Sequence, residues 1–224
     1  MTIINTKKQQ RARIVRRTAA AVAAGAVVGL AVTGVAVAAR RTERVLPKLP
    51  APGATVDAEL ISKGIELLVA GDKIRTGPLQ GRAVFEVEEQ PADPASVRTK
   101  IKEFRLASAD DRGGVTITVE PRSGAKHDPS VLQRNAVESP RFEHTLMLPC
   151  VIAIANPQAL GLRAATEGSL KLKATLPVEL SGRPSGFPDD RARYGLRDTA
   201  ALSVVDGPGR EASILKFPLK IQRF

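Results

Sequence analysis

The chain has 224 residues and a formal net charge of +11; 3% of its residues are aromatic, it has one cysteine, and it has no tryptophan. One cysteine excludes an intramolecular disulfide, and so few aromatics withhold the stacking platform that single-strand nucleic-acid binders use. The charge is also misplaced for nucleic acid, because residues 49–224 hold 24 basic and 22 acidic side chains and are close to neutral. A domain that displaces phosphate counterions needs its basic charge within the fold, so no nucleic-acid partner is expected.

The excess charge brackets an apolar segment. Residues 1–17 form a basic arm carrying Lys7, Lys8, Arg11, Arg13, Arg16 and Arg17. Residues 18–39 contain no charged side chain and read TAAAVAAGAVVGLAVTGVAVAA. At 1.5 Å per residue such a helix reaches about 33 Å, close to the roughly 30 Å of bilayer hydrocarbon. No helical face of it is polar, which argues against a buried soluble helix. The segment is therefore expected to be one transmembrane or signal helix that engages the membrane. Six basic residues precede it and four (Arg40, Arg41, Arg44 and Lys48) follow closely. The positive-inside rule then keeps the N-terminus in the cytoplasm and sends the rest across. Ala36-Val37-Ala38 fits an A-x-A cleavage site. The expected location is thus the cell membrane as a single-pass protein, or the exterior if the chain is cut after Ala38.

Residues 40–56 contain Pro47, Pro50 and Pro52 and read as a short, semi-stiff linker, since proline favours extended backbone and lacks a donor. From residue 57 to 224 the apolar period is two, the signature of half-buried strands. Ile65, Leu67 and Val69 share one parity, Ala83, Phe85 and Val87 alternate with Val84, Glu86 and Glu88, and Val115, Ile117 and Val119 alternate with Thr116, Thr118 and Glu120. Leu170, Leu172, Ala174, Leu176, Val178 and Leu180 make one long alternating run; Leu215, Phe217, Leu219 and Ile221 make another. A hairpin is predicted between residues 97–107 and 115–120. Val97, Thr99 and Ile101 share one parity while Phe104 and Leu106 take the other, so a bulge near Lys102–Glu103 is needed to restore a common face.

About eight or nine antiparallel strands are expected, with a helical turn at most around 56–63 and 157–166. This density without βαβ alternation predicts an all-β fold. An antiparallel β-sandwich is the first choice and a β-barrel the alternative. Pro149, Pro177 and Pro218 interrupt apolar runs, and broken sandwich edges tolerate such prolines more readily than a continuous wall. Residues 121–140 and 181–199 read as long irregular stretches, the second holding the single tyrosine, Tyr194.

Catalytic chemistry finds little to stand on. His127 lies in a polar loop. His144 shares parity with Phe142, Leu146 and Leu148 and is expected to point inward, hydrogen-bonded. Cys150 sits in an apolar run and reads as a buried hydrophobe. Asp110-Asp111 and Asp189-Asp190 lack calcium-loop spacing and read as solvated turns. Two distant histidines and one cysteine do not make a zinc site. No catalytic, metal-binding or cofactor-binding residue is assigned, and no cofactor is expected. Lys171, Lys173, Lys216 and Lys220 would form a basic stripe if their strands were neighbours. The expectation is a non-enzymatic, membrane-tethered or secreted β-domain that binds a protein, glycan or lipid of the cell envelope, or serves there structurally. The alternatives are a barrel carrying an apolar small molecule and, behind it, an exported hydrolase using His144 with an acid and a Ser or Thr.

Overall fold

The computed structural model describes residues 48–108, 114–124, 129–135, 141–162, 168–205 and 211–224. The basic arm, the 18–39 segment with its expected helix, Asp110-Asp111 and His127 lie outside these residues. Among the described residues no helix is long and apolar enough to cross a membrane.

The described chain forms fifteen strands. These are β1 (Thr55–Ser62), β2 (Glu66–Val69), β3 (Asp72–Arg75), β4 (Leu79–Glu89) and β5 (Ser96–Ser108). They are followed by β6 (Ile117–Pro121), β7 (Ser130–Asn135), β8 (Arg141–Leu148), β9 (Cys150–Ala155) and β10 (Ser169–Ala174). The last five are β11 (Val178–Gly182), β12 (Tyr194–Leu196), β13 (Ala200–Val204), β14 (Glu211–Lys216) and β15 (Leu219–Arg223). A 3-10 turn, Pro157–Leu160, is the helical turn expected in 157–166. The other expected turn, at 56–63, is instead β1: its alternation of buried Ala58, Leu60 and Ser62 is a strand period.

Eight strands close on themselves in the order β1-β4-β5-β7-β8-β11-β12-β15 and back to β1, every pairing antiparallel. The other seven, β6-β9-β10-β13-β14-β2-β3, continue outward from the C-terminal half of β5. The all-β expectation holds, but the preferred sandwich does not: the architecture is the alternative, a closed barrel with outer strands.

The prolines explain the difference. Pro149 falls between β8 and β9, Pro177 between β10 and β11, and Pro218 between β14 and β15. On one side of these corners β8 pairs β11, and on the other β9 pairs β10. Each proline thus interrupts the ladder where a long segment leaves the barrel for the outer sheet, at the one place that needs no donor. The corner at Pro177 exposes two carbonyls, and Arg122 Nη1 donates to both, at 2.9 Å to Ala174 and 3.2 Å to Thr175. The same corner turns Leu176 out to solvent, 75% exposed, against its predicted place on the apolar face.

Bulges adjust parity elsewhere. Val84 pairs Glu103 while Phe85 pairs Ile101, leaving Lys102 as the extra residue of β5, where the predicted bulge lies. Phe104 and Leu106 thereby join Val97 inside. The predicted hairpin forms too, with Leu106 opposite Val119. A second irregularity at Ile214/Lys216 puts Ile214 in the core and leaves Leu215 half-buried, so the predicted run starts properly only at Phe217. Residues 121–140, read as irregular, hold β7, and the end of 181–199 holds β12.

The condition for a basic stripe is not met. Strand β13 separates β10, which carries Lys171 and Lys173, from β14, which carries Lys216. Lys216 instead joins Lys73 on the Glu66 carboxylate, both at 3.2 Å. Those two hydrogen-bonded ammonium groups hold the Glu66 carboxyl below its ordinary value.

The β2–β3 hairpin turns over Ala70 (φ 49) and Gly71 (φ 90), with Val69 opposite Asp72. Positive φ at both central residues is the geometry of a type I′ turn, which alanine adopts only at a cost. Ala70→Gly should stabilise the protein by about 1 kcal/mol, read as a higher denaturation midpoint at an unchanged m-value.

Candidate functional site

The described barrel interior is largely apolar, and a hydrogen-bonded polar line crosses it. Register places Leu132, His144, Gly182, Tyr194, Leu219, Ser62 and Leu79 side by side on successive strands from β7 to β4, all of them buried. The middle of this layer is made by its smallest member. A Cβ on Gly182 would stand 2.6 Å from the Tyr194 ring, so the glycine is the space in which that ring lies. Lying there, the phenol reaches past β11 to His144: Tyr194 Oη is 2.9 Å from Nδ1. On the far side Thr99 Oγ1 is 3.0 Å from Nε2.

His144 is 0% exposed, Thr99 0% and Tyr194 2%. Burial alone pushes the His144 pKa down to about 3, so the ring is neutral at physiological pH. A neutral imidazole needs one donor and one acceptor. The phenol, the more acidic hydroxyl, suits donation to Nδ1, leaving Nε2–H to donate to Thr99 Oγ1. Burial, with the Asp189 charge behind it, raises the Tyr194 pKa well above the ordinary phenol value, so this proton stays in place. Both ring nitrogens are thereby occupied.

The loop between β11 and β12 closes over this line. Phe187 meets His144 edge-on at 4.9 Å between centroids and Phe85 at 5.2 Å. Asp189 ties the loop down, accepting from Ser185 N at 2.6 Å, Ser185 Oγ at 2.8 Å and Arg191 N at 2.9 Å. Burial works against that carboxylate, but these donors and the Arg191 charge outweigh it and keep its pKa below the usual value. Its neighbour Asp190 accepts from the Arg223 amide at 3.1 Å. The acidic pair lies in an exposed turn, as expected, and also clamps the loop.

The inward histidine predicted from parity is found, with two neutral hydroxyls for partners. The arrangement joins a histidine to a threonine, as the hydrolase alternative requires, but a tyrosine stands where an acid is needed and all three side chains are buried. Cys150 is buried in the core, which pushes its thiol up to about 12 and withholds the thiolate. Among the described residues no cluster of three or more His, Cys, Asp or Glu could hold a metal. Sequence reading missed Thr99 and Tyr194 as partners. Thr99 carried a signal, its parity with Val97 and Ile101; Gly182 carried another, continuing the parity of Leu170 to Leu180. Tyr194 carried none.

Tyr194→Phe removes the hydroxyl and leaves Nδ1 buried without a partner. It should cost about 1–3 kcal/mol, the price of an unsatisfied buried polar group, measured by chemical denaturation.

One end of the barrel carries an open pocket. Around the β4–β5 turn, Lys48, Leu49, Pro50, Pro52, Pro91, Pro94, Val97 and Arg134 help line a pocket of about 470 Å³. Leu49 packs on the small cluster of Val87, Val97, Leu132 and Phe142 beneath, and Gly53 and Ala54 bond to the Val87 backbone. The proline-rich stretch is thus docked to the barrel from Leu49 onward.

Fold and interior together define an antiparallel β-barrel protein whose described interior is largely apolar and crossed by a hydrogen-bonded polar line. Among solved structures the chain is similar to DynF from the dynemicin biosynthesis pathway of Micromonospora chersina, with a TM-score of 0.56 and 17% identity over 80% of this chain and 84% of that one. At this identity the likeness concerns the fold alone. No protein-family model and no curated protein matches the chain.

Proposed function

We propose that this protein is a non-enzymatic binding domain held on the outer side of the cell membrane by residues 18–39, or released there if cut after Ala38. The observation that carries this reading is the Thr99–His144–Tyr194 line. The interior groups best suited to chemistry are spent on one another and sealed under Phe187, which leaves interaction to the outer surface and the open end. The partner is an envelope protein, glycan or lipid. The uncharged 22-residue run and its basic flanks support the location. A periplasm-dependent phosphatase fused behind Phe224 should be active in cells, and a cytosol-dependent fluorescent reporter at the same site should be dark. The reverse pattern would remove the outer location.

The pocket at the open end favours a second reading, a carrier of an apolar small molecule. Its volume of about 470 Å³ lies within the roughly 300–1,000 Å³ of ligand sites, and its prolines, Leu49, Ala51 and Val97 make an apolar wall beside the polar Lys48, Glu89, Gln90, Ser96 and Arg134. Native mass spectrometry of the full chain should then show a co-purifying small molecule that Leu49→Asp displaces. Bare protein in every preparation would count against carriage.

A further inference from the structure

Several outward cations of the barrel meet carboxylates: Arg82 meets Asp57, Lys102 Glu86, Lys100 Glu88 and Arg197 Glu179. Lys63, Arg193 and Lys220 do not. They come from three separate segments, none forms an ion pair among the described residues, and they converge on one pocket of about 190 Å³. Its remaining lining is Ile61, Tyr194, Pro218 and Leu219. The carboxylate nearest along β1, Glu59, is engaged by Gln222 Nε2 at 2.7 Å.

The pocket lies at the thinnest part of the barrel wall. Strands β12 and β15 are joined by one residue pair, Tyr194 with Leu219, because β12 is three residues long and Pro218 precedes β15. The short seam leaves a shallow apolar hollow, with Ile61 and Pro218 reaching its surface and the almost fully buried Tyr194 and Leu219 behind them, and the three cations ring it.

We propose that this seam is a binding site for a small anionic amphiphile: a carboxylate or similar single anionic head held by Lys63, Arg193 and Lys220, with a short apolar tail on Ile61, Tyr194, Pro218 and Leu219. Like-charged side chains around an apolar hollow repel one another and focus an attractive potential on an anion. An anion alone would leave the floor wet, and an uncharged tail would leave the cations unpaired. A volume below the roughly 300 Å³ of drug-sized pockets limits the tail to a short chain. The inference rests on the barrel alone and is independent of where the domain is displayed.

Tyr194 is the single tyrosine of a chain without tryptophan, so intrinsic fluorescence reports directly from the pocket floor. Titrating the full chain in zwitterionic-lipid nanodiscs with octanoate should give a saturable change in tyrosine emission. Octanol and acetate should each require at least tenfold higher concentrations. The K63Q/R193Q/K220Q variant should weaken octanoate at least tenfold, and R193Q alone should weaken it measurably. Lys63 and Arg193 are exposed and Lys220 is half-buried, and none of the three belongs to the core. No saturable change, equal response to octanol, or unaltered binding by the triple variant would overturn the proposal. So would a response to anionic-lipid vesicles with none to octanoate, since the occupant would then be a membrane surface.

Discussion

Between pH 7 and pH 4 the protein is expected to lose about 3 kcal/mol of stability through one side chain, His144. Its buried ring is neutral, with the pKa pushed down to about 3 by burial, whereas an imidazole in the unfolded chain takes up a proton near 6.5. Between those values the unfolded state binds more protons than the folded one, so stability rises with pH across the window. The contribution is complete above about pH 6.5, shrinks as pH falls, and is gone near pH 3. At 1.36 kcal/mol per pKa unit the whole window is worth on the order of 5 kcal/mol. Carboxylates with depressed pKa values, such as Asp189 and Glu66, add losses of the same sign at the acid end. Denaturant unfolding of the wild-type chain and His144→Gln at several pH values separates the two. The variant should be less stable at pH 7 and flatter in its pH dependence between 6.5 and 4. Parallel profiles would mean that the imidazole is solvated.

The second large effect is steric. On β4, Gly81 faces Leu106, and a Cβ there would stand inside the contact radius of the Arg105 carbonyl oxygen and 2.9 Å from the Leu106 Cα. What it meets is backbone, which cannot rotate away as a side chain can, and β5 is bound on its other side by β6 and β7. Gly81→Ala should therefore cost about 3 kcal/mol, the upper range for overpacking. For a domain of this size that lowers Tm by about 10 °C. A change below about 2 °C would show that the two strands separate more easily than their pairing implies.

The strands were legible because their information is local. Alternation at Ala83–Phe85–Val87 or Leu170–Leu172–Ala174 records which face is buried, and the parity clash between Ile101 and Phe104 located a bulge before any partner strand was known. The inward side chain of His144 was legible for the same reason. Closure was not, because it depends on which strands pair at a distance. Pro149, Pro177 and Pro218 suggested broken edges, whereas each marks a corner between barrel and outer sheet, and nothing local distinguishes the two. Strand β12 escaped because three residues between Arg193 and Arg197 show no period. With it went the partner of His144, since Tyr194 reaches that ring only through the space Gly182 leaves on the strand between.

The account depends on the barrel interior being sealed structure and not a solvent-facing reactive site. Imidazole NMR on the full chain reads this most directly, since only two histidines, His127 and His144, contribute. The His144 resonances should keep the pattern of a neutral ring from pH 8 down to about pH 4, with no midpoint near 6.5. A His144 titration centred near pH 6.5 in the folded protein would contradict the account.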